Sequence, residues 1–364
     1  MQQAALQLYP DAEVEVRFKN RGKHKFCDKF KELFQSELEK MSEVRSLPGE
    51  IEKFALLPFI KDWYVEYLRS YTFDPSEVQF EIDNKGRMEL VIKGKWHRVI
   101  LWEVVLMALI SECYFIVNND WTLDGQEHKL DVKENKLFAA QCIYADFGTR
   151  RRRCYAVQDM VVRKMHKHSW FAGTSNVHLA FKYNVKPIGT MAHEWVQAIS
   201  ALESLNQANR FMMKKWAEVY NGSLGIALTD TYGLDAFLEA FDSVYAKLYD
   251  GVRHDSGDPF EFTDKIVAHY KSLGIDYRSK VIVFSDGLNA DLAVEIKAYC
   301  DKIGIKCSFG IGTSFTNDFD DPALNMVIKL WRVNGFPVVK LSDNPGKANG
   351  EPEAVAAVRY LYGV

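Results

Sequence analysis

The chain has 364 residues, of which 48% are hydrophobic and 26% are charged, and its formal net charge is −3. This length fits two domains, or one barrel with additions, and it supplies enough apolar side chains for a large core. The near-neutral balance argues against a nucleic-acid partner, because general nucleic-acid binders are usually basic.

The cysteines and the longest apolar run both indicate the cellular compartment of the protein. Six cysteines are scattered without a CxxC pair, so zinc-ligand spacing is absent and free thiols in a reducing cytoplasm are expected. The longest apolar run, residues 99–110, is interrupted by Glu103 and is too short to span a bilayer. We therefore expect a cytoplasmic protein with no membrane partner.

The first hundred residues mix helices and strands. The apolar periodicity predicts a strand at 14–18, a helix at 25–42, a strand pair at 78–82 and 88–92, and a helix at 102–117. We interpret residues 1–117 as an α+β domain with its connecting helix.

From about residue 140, short apolar strands alternate with helices. The predicted strands lie at 141–145, 170–171, 186–188, 225–228, around Val252, and at 281–284, 306–309 and 326–330. The predicted helices lie at 157–168, 234–248, 261–273 and 290–300. Seven or eight strands in this alternation predict an α/β fold with an irregular, closed or nearly closed barrel over residues 118–332, and an open doubly wound sheet is the alternative.

The last segment, residues 333–364, predicts a hairpin around Asn334 and Gly335 followed by a loop at 342–347. We expect this tail to close on the barrel or to return to the first domain.

Polar, glycine-containing loops follow the predicted strands, at the end where barrels collect their functional residues. They lie at 146–150, 173–176, 189–194, 229–231, 253–258, 285–287 and 310–314. Glycine beside hydroxyl groups suits phosphate, and carboxylates near arginine suit a hydroxylated, phosphorylated ligand. The set therefore predicts a sugar-phosphate site, although each loop alone is an ordinary turn.

Two nucleotide-binding patterns are missing. Gly310 and Gly312 match the first two glycines of the Rossmann pattern, but Phe315 occupies the position of the third glycine. The sequence also has no P-loop motif.

Several of these loops resemble the nicotinate phosphoribosyltransferase family of the bacterial and fungal type. The similar segments are Asp-Phe-Gly-Thr-Arg-Arg-Arg at 146–152, Trp-Phe-Ala-Gly-Thr-Ser-Asn at 170–176, Gly-Thr-Met-Ala-His-Glu-Trp at 189–195, Arg-His-Asp-Ser-Gly-Asp-Pro at 253–259, Phe-Ser-Asp at 284–286, Ser-Phe-Gly-Ile-Gly-Thr at 308–313 and Lys-Leu-Ser-Asp at 340–343. The resemblance covers nearly the whole chain in the same order.

This resemblance implies an α+β domain packed on an irregular α/β barrel, the type II phosphoribosyltransferase fold. It implies synthesis of nicotinate mononucleotide from nicotinate and phosphoribosyl pyrophosphate, with ATP as co-substrate, Mg²⁺, and a homodimer. Members of the family carry Asp-Thr-Asp-x-Tyr-Lys just before Met-Gln-Gln, where the printed sequence begins. The tyrosine of that segment is expected to stack on the pyridine ring from the neighbouring subunit.

The resemblance also implies residue roles. His193 would accept phosphate from ATP, which neutral imidazole can do as a nucleophile. Phe147 and Arg150 would hold the pyridine carboxylate, within a loop that also offers Thr174, Ser175 and Asn176. Ser175 replaces the aspartate of related nicotinamide-using enzymes, which favours the acid as substrate.

The remaining predicted site residues would bind the donor. Arg253, Asp255, Ser256 and Gly257 would cradle ribose and pyrophosphate, with Mg²⁺ brought by the donor near Asp255 and no metal held by the protein alone. The ribose 5-phosphate would bind to Ser285, Asp286, Gly310, Gly312 and Thr313. Asp258 is expected to cap the next helix.

Other functions remain open. A Schiff-base aldolase would use Lys329 in a late barrel strand. A nicotinamide- or quinolinate-specific transferase, and a non-catalytic sugar-phosphate or RNA-binding protein using the arginines at 150–153, are further alternatives.

Overall fold

A computed structural model describes residues 1–343 and 348–363. The first part of the chain forms α1 (Gln2–Leu8), β1 (Glu13–Asn20), α2 (Asp28–Lys40), α3 (Pro48–Ala55), α4 (Asp62–Ser70), β2 (Val78–Ile82), β3 (Met88–Lys95), α5 (Trp96–Val99) and α6 (Trp102–Val117).

The second part alternates helices and strands. Its elements are α7 (Gln126–Ala139), β4 (Tyr144–Asp146), α8 (Tyr155–Met165), β5 (Phe171–Thr174), α9 (Val177–Lys182), α10 (His193–Leu202), α11 (Ala208–Tyr220), β6 (Ile226–Leu228), α12 (Leu234–Ala240), α13 (Ser243–Leu248), β7 (Gly251–His254), α14 (Pro259–Ser272), β8 (Val281–Phe284), α15 (Ala290–Ile303), β9 (Lys306–Ile311) and α16 (Thr313–Thr316). The chain continues with β10 (Met326–Val333), β11 (Phe336–Pro337) and α17 (Pro352–Tyr362).

The first sheet has five antiparallel strands in the order β11-β10-β1-β3-β2. In β1 the alternating residues Val14, Val16 and Phe18 are buried, which is the period of two expected for a sheet with one face on the core. The strand predicted at 326–330 forms as β10, but its placement in the barrel was wrong, because it pairs antiparallel with β1. Periodicity shows that a strand forms and not which sheet it joins.

The second sheet is the core of the α/β unit. Its six parallel strands follow the order β5-β4-β9-β8-β7-β6, and a parallel bridge between Thr174 and Pro187 extends the β5 edge. β9 pairs parallel with both β4 and β8, and residues near the two edges of the sheet, Ile188 and Ile226, line one cleft, which fits an irregular, incompletely closed barrel. The predicted α/β fold with an additional N-terminal domain is confirmed.

Two predicted elements differ in detail. The stretch at 186–188 contributes a single bridge instead of a strand, and the helix predicted at 234–248 is interrupted. The side chain of Asp242 accepts hydrogen bonds from the N–H groups of Val244 and Tyr245, so it caps a second helix, α13.

The tail connects both sheets, as predicted. Asn334 and Gly335 have φ angles of 48° and 82°, which suit the tight turn between β10 and β11. Beyond the hairpin, Leu341 N–H donates to the Thr231 carbonyl of the barrel. Most of the predicted loop that follows, residues 344–347, lies outside the described residues, and the domain boundaries at 117 and 332 stay a prediction.

One helical segment among the described residues, Trp96–Val117, is long and apolar enough to cross a membrane, with a mean hydropathy of 2.0. The expectation that this run is too short was therefore wrong on length, because α5 and α6 follow each other closely. The segment is 56% buried inside the protein, and Trp102, Leu106 and Ile110 lie in its hydrophobic core. This packing is that of a core helix.

Candidate active site

His193 is the first residue of α10 and lies buried at the end of the barrel where the parallel strands terminate. Its Nε2 atom lies 2.7 Å from Asp230 Oδ1, just beyond β6, and 3.6 Å from Asp255 Oδ2, just beyond β7. Residues that are distant in sequence therefore converge because parallel strands end at the same edge.

Asp230 is almost fully buried and has three polar partners. Its Oδ2 atom accepts a hydrogen bond from Ser256 Oγ at 2.7 Å and lies 3.0 Å from Lys340 Nζ. Burial alone would raise the pKa of Asp230, but His193 and Lys340 together lower it well below its ordinary value. Asp230 is thus an ionised carboxylate that is held in contact with His193.

The charge state of His193 follows from its burial. Desolvation lowers the pKa of His193 below its ordinary value, more than Asp230 raises it, so the ring is neutral at neutral pH. Nε2 faces Asp230 and Asp255, so this nitrogen carries the proton and Nδ1 keeps the lone pair. Nδ1 is therefore the ring nitrogen with an available lone pair.

Arg253 and Asp255 form a second fixed pair beside the histidine. The guanidinium donates to Asp255 Oδ1 at 2.8 Å, to Ser285 Oγ at 2.7 Å and to Thr190 Oγ1 at 2.9 Å. Ser285 Oγ in turn donates to Asp255 Oδ1 at 2.7 Å. Burial opposes ionisation of Asp255, but the neighbouring Arg253 charge lowers its pKa below the ordinary value, so the carboxylate is charged.

Phe147 lies against the barrel strand β9. A Cβ atom at Gly310 would lie 2.5 Å from Phe147 Cδ2, so the ring occupies space that only glycine leaves open. Phe147, Gly310 and Thr190 also line a cleft inside the barrel end. Thr190 connects this cleft to the charged cluster, because its hydroxyl oxygen accepts a hydrogen bond from Arg253.

Arg150 lies in a short 3₁₀ turn, Thr149–Arg151, directly after Phe147. Its NH1 group donates to Glu103 Oε1 at 3.0 Å, and its side chain is 43% exposed. The remaining guanidinium nitrogens have no other partner among the described residues, so they can bind a ligand carboxylate.

Three predicted site residues, Thr174, Ser175 and Asn176, lie at the end of β5 and in the loop that follows it. Thr174 is fully buried and donates to Asp146 Oδ2 at 2.7 Å, and Asn176 caps α9 by accepting from Leu179 N–H. Both side chains hold the loop in shape, and their predicted contact with substrate stays a prediction. Ser175 between them is exposed.

Of the predicted donor residues, Ser256 is held on Asp230 and Gly257 adopts a φ of 83° that favours glycine. Asp286 interacts electrostatically with Arg151. Gly312 precedes α16, which begins at Thr313, beside the Phe147 backbone. Asp258 caps α14, as predicted.

The sequence of the chain matches the family model of the nicotinate phosphoribosyltransferase (NAPRTase) N-terminal domain at residues 1–111 and that of the nicotinate phosphoribosyltransferase (NAPRTase) family at residues 142–364. The chain belongs to the nicotinate phosphoribosyltransferase family. A relative from Methanosarcina mazei named nicotinate phosphoribosyltransferase is 45% identical over 100% of this chain and 95% of its own length.

Solved structures of the family agree with this assignment. The enzyme from Porphyromonas gingivalis superimposes with a TM-score of 0.95 at 36% identity, covering 100% of this chain and 96% of its own. The Vibrio cholerae enzyme gives 0.94 at 33% identity, covering 100% of this chain and 91% of its own.

Reasoning from the sequence assigned no role to three charged residues in or near the candidate site of this nicotinate phosphoribosyltransferase family member. Asp230 stood in a recognised loop without a role, Lys340 stood in the family-like tail, and Glu103 was noted only as an interruption of an apolar run. The sequence could have indicated Glu103, because a carboxylate within an apolar helix is buried and a buried charge needs a partner.

The arginine run at 150–153 is not a continuous basic surface. Arg152 pairs with Glu112 at 2.6 Å, and Arg153 is fully buried between the rings of Phe115 and Phe319. Arg150 pairs with Glu103 and Arg151 is only partly exposed, so the run offers no continuous basic face, which disfavours the RNA-binding alternative.

Among residues 1–343 and 348–363, His193, Asp230 and Asp255 form a group that could hold a metal ion, since one ligand atom of each lies within 4.8 Å of the others. Asp230 is already paired with Lys340, however, and Asp255 with Arg253. These cations compete with a metal, so the set fits a divalent ion that arrives with a phosphorylated ligand better than one bound by the protein alone.

Proposed function

We propose that this chain joins nicotinate to phosphoribosyl pyrophosphate, forming nicotinate mononucleotide and pyrophosphate, and that it couples this reaction to ATP hydrolysis through His193. The observation that carries the proposal is the convergence of an aromatic–arginine pair, Phe147 and Arg150, with the His193, Asp230 and Arg253 cluster at one barrel end.

Phe147 and Arg150 bind the pyridine substrate in this proposal. The Phe147 ring supplies a stacking face, and Arg150 keeps guanidinium nitrogens available for a carboxylate. Ser175 is exposed next to this pocket loop and can donate a hydrogen bond to the acid, where an aspartate would repel it. Nicotinate is therefore favoured over nicotinamide.

The donor lies along the strand ends β7, β8 and β9. Its 5-phosphate meets the backbone N–H groups of Gly310, Gly312 and Thr313, and its hydroxyls meet Asp286 and the Ser256–Gly257 turn. Arg253 and Arg151 neutralise pyrophosphate charge. A Mg²⁺ ion carried by the donor, next to Asp255, would withdraw electron density from the leaving group.

The bond changes need no general base. The pyridine nitrogen forms a bond to the anomeric carbon with its own lone pair, while the bond from that carbon to the pyrophosphate oxygen breaks. The carbon becomes cationic in the transition state, which the nearby Asp255 carboxylate stabilises. Positioning and electrostatics supply the rate.

His193 supplies the coupling to ATP. Its neutral ring offers Nδ1 to the terminal phosphorus of ATP, and the bond from that phosphorus to the bridging oxygen of ADP breaks. Asp230 holds the proton on Nε2 and stabilises the positive charge that the ring gains on phosphorylation. Hydrolysis of the phosphohistidine after product formation would complete the cycle.

An assay on the purified protein tests this function. The chain is incubated with nicotinate, phosphoribosyl pyrophosphate, Mg²⁺ and ATP, and mononucleotide and ADP are quantified. Nicotinamide in place of nicotinate tests the amide alternative. Mononucleotide from nicotinate with ADP release supports the proposal, whereas its absence at millimolar substrates contradicts it.

The aldolase alternative can be tested on the same preparation. Lys329 lies 3.7 Å from Glu103, on β10 of the antiparallel sheet, and burial lowers its pKa, which would favour imine formation. Borohydride treatment with a sugar phosphate should nevertheless give no covalent adduct, because the ammonium is paired with a carboxylate. An adduct on Lys329 would favour the aldolase.

We further propose a homodimer located in the cytoplasm. The six cysteines are free, four of them buried, which suits a reducing compartment. Light scattering of the purified chain would report twice the monomer mass if the dimer forms, and the monomer mass would contradict this part of the proposal.

A further inference from the structure

Glu103 is a carboxylate of the N-terminal region that contacts Arg150, the arginine proposed to bind the pyridine substrate. It lies on α6, a helix whose buried residues are apolar apart from Ser111, and its side chain is only 15% exposed. A charge inside an apolar helix is costly unless it has partners, so its contacts are informative.

One oxygen of Glu103 contacts two cations from two other elements. Oε1 accepts from Arg150 NH1 at 3.0 Å and lies 3.7 Å from Lys329 Nζ on β10. The Arg150 side chain is much more exposed than Glu103, so its direction depends on this hydrogen bond. Glu103 thus determines where the guanidinium points.

The same contacts set the charge of the pocket. Glu194 also interacts with Glu103 and Lys329, but burial and the charge of Glu103 raise the pKa of its carboxyl to about 7. Among Arg150, Lys329 and Glu103, two positive charges and one negative charge leave one positive charge. A monocarboxylate ligand neutralises this charge, whereas a neutral amide leaves it uncompensated in a partly desolvated pocket. The charge balance therefore favours an acid.

We propose that Glu103 is a positioning residue that holds Arg150 toward the carboxylate of nicotinate and matches the pocket charge to a single carboxylate. This inference rests on the proposed role of Arg150 in substrate binding. Glu103 acts through Arg150 and does not itself touch the substrate.

A double-mutant cycle on the full-length chain separates positioning from simple structural support. Glu103→Gln keeps the size of the side chain and removes its charge. We expect it to raise the KM for nicotinate about tenfold, because a charge-assisted hydrogen bond is weakened, while kcat and the KM for the phosphoribosyl donor change less than about threefold. In an Arg150→Ala background, the same change should alter the nicotinate KM less than about twofold.

Glu127→Gln is the matched control. Glu127 forms an ion pair with Arg163 at 3.0 Å in which both side chains are more than half exposed, so its loss should leave the nicotinate KM unchanged. Circular dichroism reports whether each variant is folded. If Glu103→Gln unfolds, the Glu103→Gln, Lys329→Met double variant restores the charge balance and takes its place in the cycle.

Two results would overturn the inference. One is an unchanged nicotinate KM in Glu103→Gln, and the other is an equal effect of this change with and without Arg150. A wild-type chain that makes no mononucleotide would overturn the proposed function and this inference together, whereas additive effects in an active enzyme overturn only the inference.

Discussion

The Nε2 atom of His193 lies 2.7 Å from Oδ1 of Asp230, and both side chains are buried. This contact orients the imidazole and leaves Nδ1 as the atom that would receive a phosphoryl group in the proposed reaction. It joins the first turn of α10 to the end of β6, so the barrel itself holds the histidine in place.

Replacing His193 should separate ATP hydrolysis from base transfer. His193→Asn removes the nucleophile, and we expect the ratio of mononucleotide formation with and without ATP to fall to about one, while a slow ATP-independent transfer remains. ADP release and mononucleotide formation are measured on the same samples. Full ATP stimulation in this variant would show that another group accepts the phosphate.

The pH dependence of ATP hydrolysis follows from the lowered pKa of His193. The folded pKa lies below the ordinary 6.5, so the unfolded chain binds the proton first as the pH falls. The neutral imidazole of His193 is therefore present above pH 6.5 and is lost as the pH falls through the folded pKa. The contribution of His193 to the stability of the folded protein is lost over the same pH range. The acid limb of the ATPase profile should have its midpoint below 6.5; a midpoint above 6.5 contradicts the assignment.

Gly310→Ala should disturb the stacking face. The new Cβ would lie 2.5 Å from the Phe147 ring, so the ring must move, and overpacking of this kind costs about 1–3 kcal/mol. We expect about a tenfold rise in the nicotinate KM. Gly49→Ala, where a Cβ has open space, is the control and should leave the KM unchanged.

Ser175→Asp should shift preference toward nicotinamide. A carboxylate at this exposed loop position repels the acid and can accept a hydrogen bond from the amide N–H₂. The ratio of kcat/KM for nicotinate to that for nicotinamide is expected to fall about tenfold. Unchanged selectivity would show that the Ser175 side chain does not reach the ligand.

Arg153→Lys should lower the free energy of unfolding of the protein. The guanidinium is fully buried between Phe115 and Phe319 and donates from Nε to Asn317 Oδ1, a geometry that an ammonium cannot reproduce. We expect a loss of about 2–4 kcal/mol in the free energy of unfolding, measured by urea denaturation. Arg163→Lys, at an exposed ion pair, should change it by less than about 0.5 kcal/mol.

The sequence by itself determined the element types and the polar loops at the strand ends. Alternation in β1 and the apolar run of α6 predict those elements because burial follows the period of the backbone. The loops that contain His193 and Arg253 were recognisable because glycine, hydroxyl and charged residues recur after each apolar strand.

Only the tertiary structure decided which distant residues meet. Nothing local shows that β10 leaves the barrel to pair with β1, or that this pairing brings Lys329 to Glu103. Likewise Lys340 reaches Asp230 only because the tail folds back over the strand ends. Strand pairing and ion pairing join residues far apart in the chain, so they depend on the global packing and leave no periodic trace in the sequence.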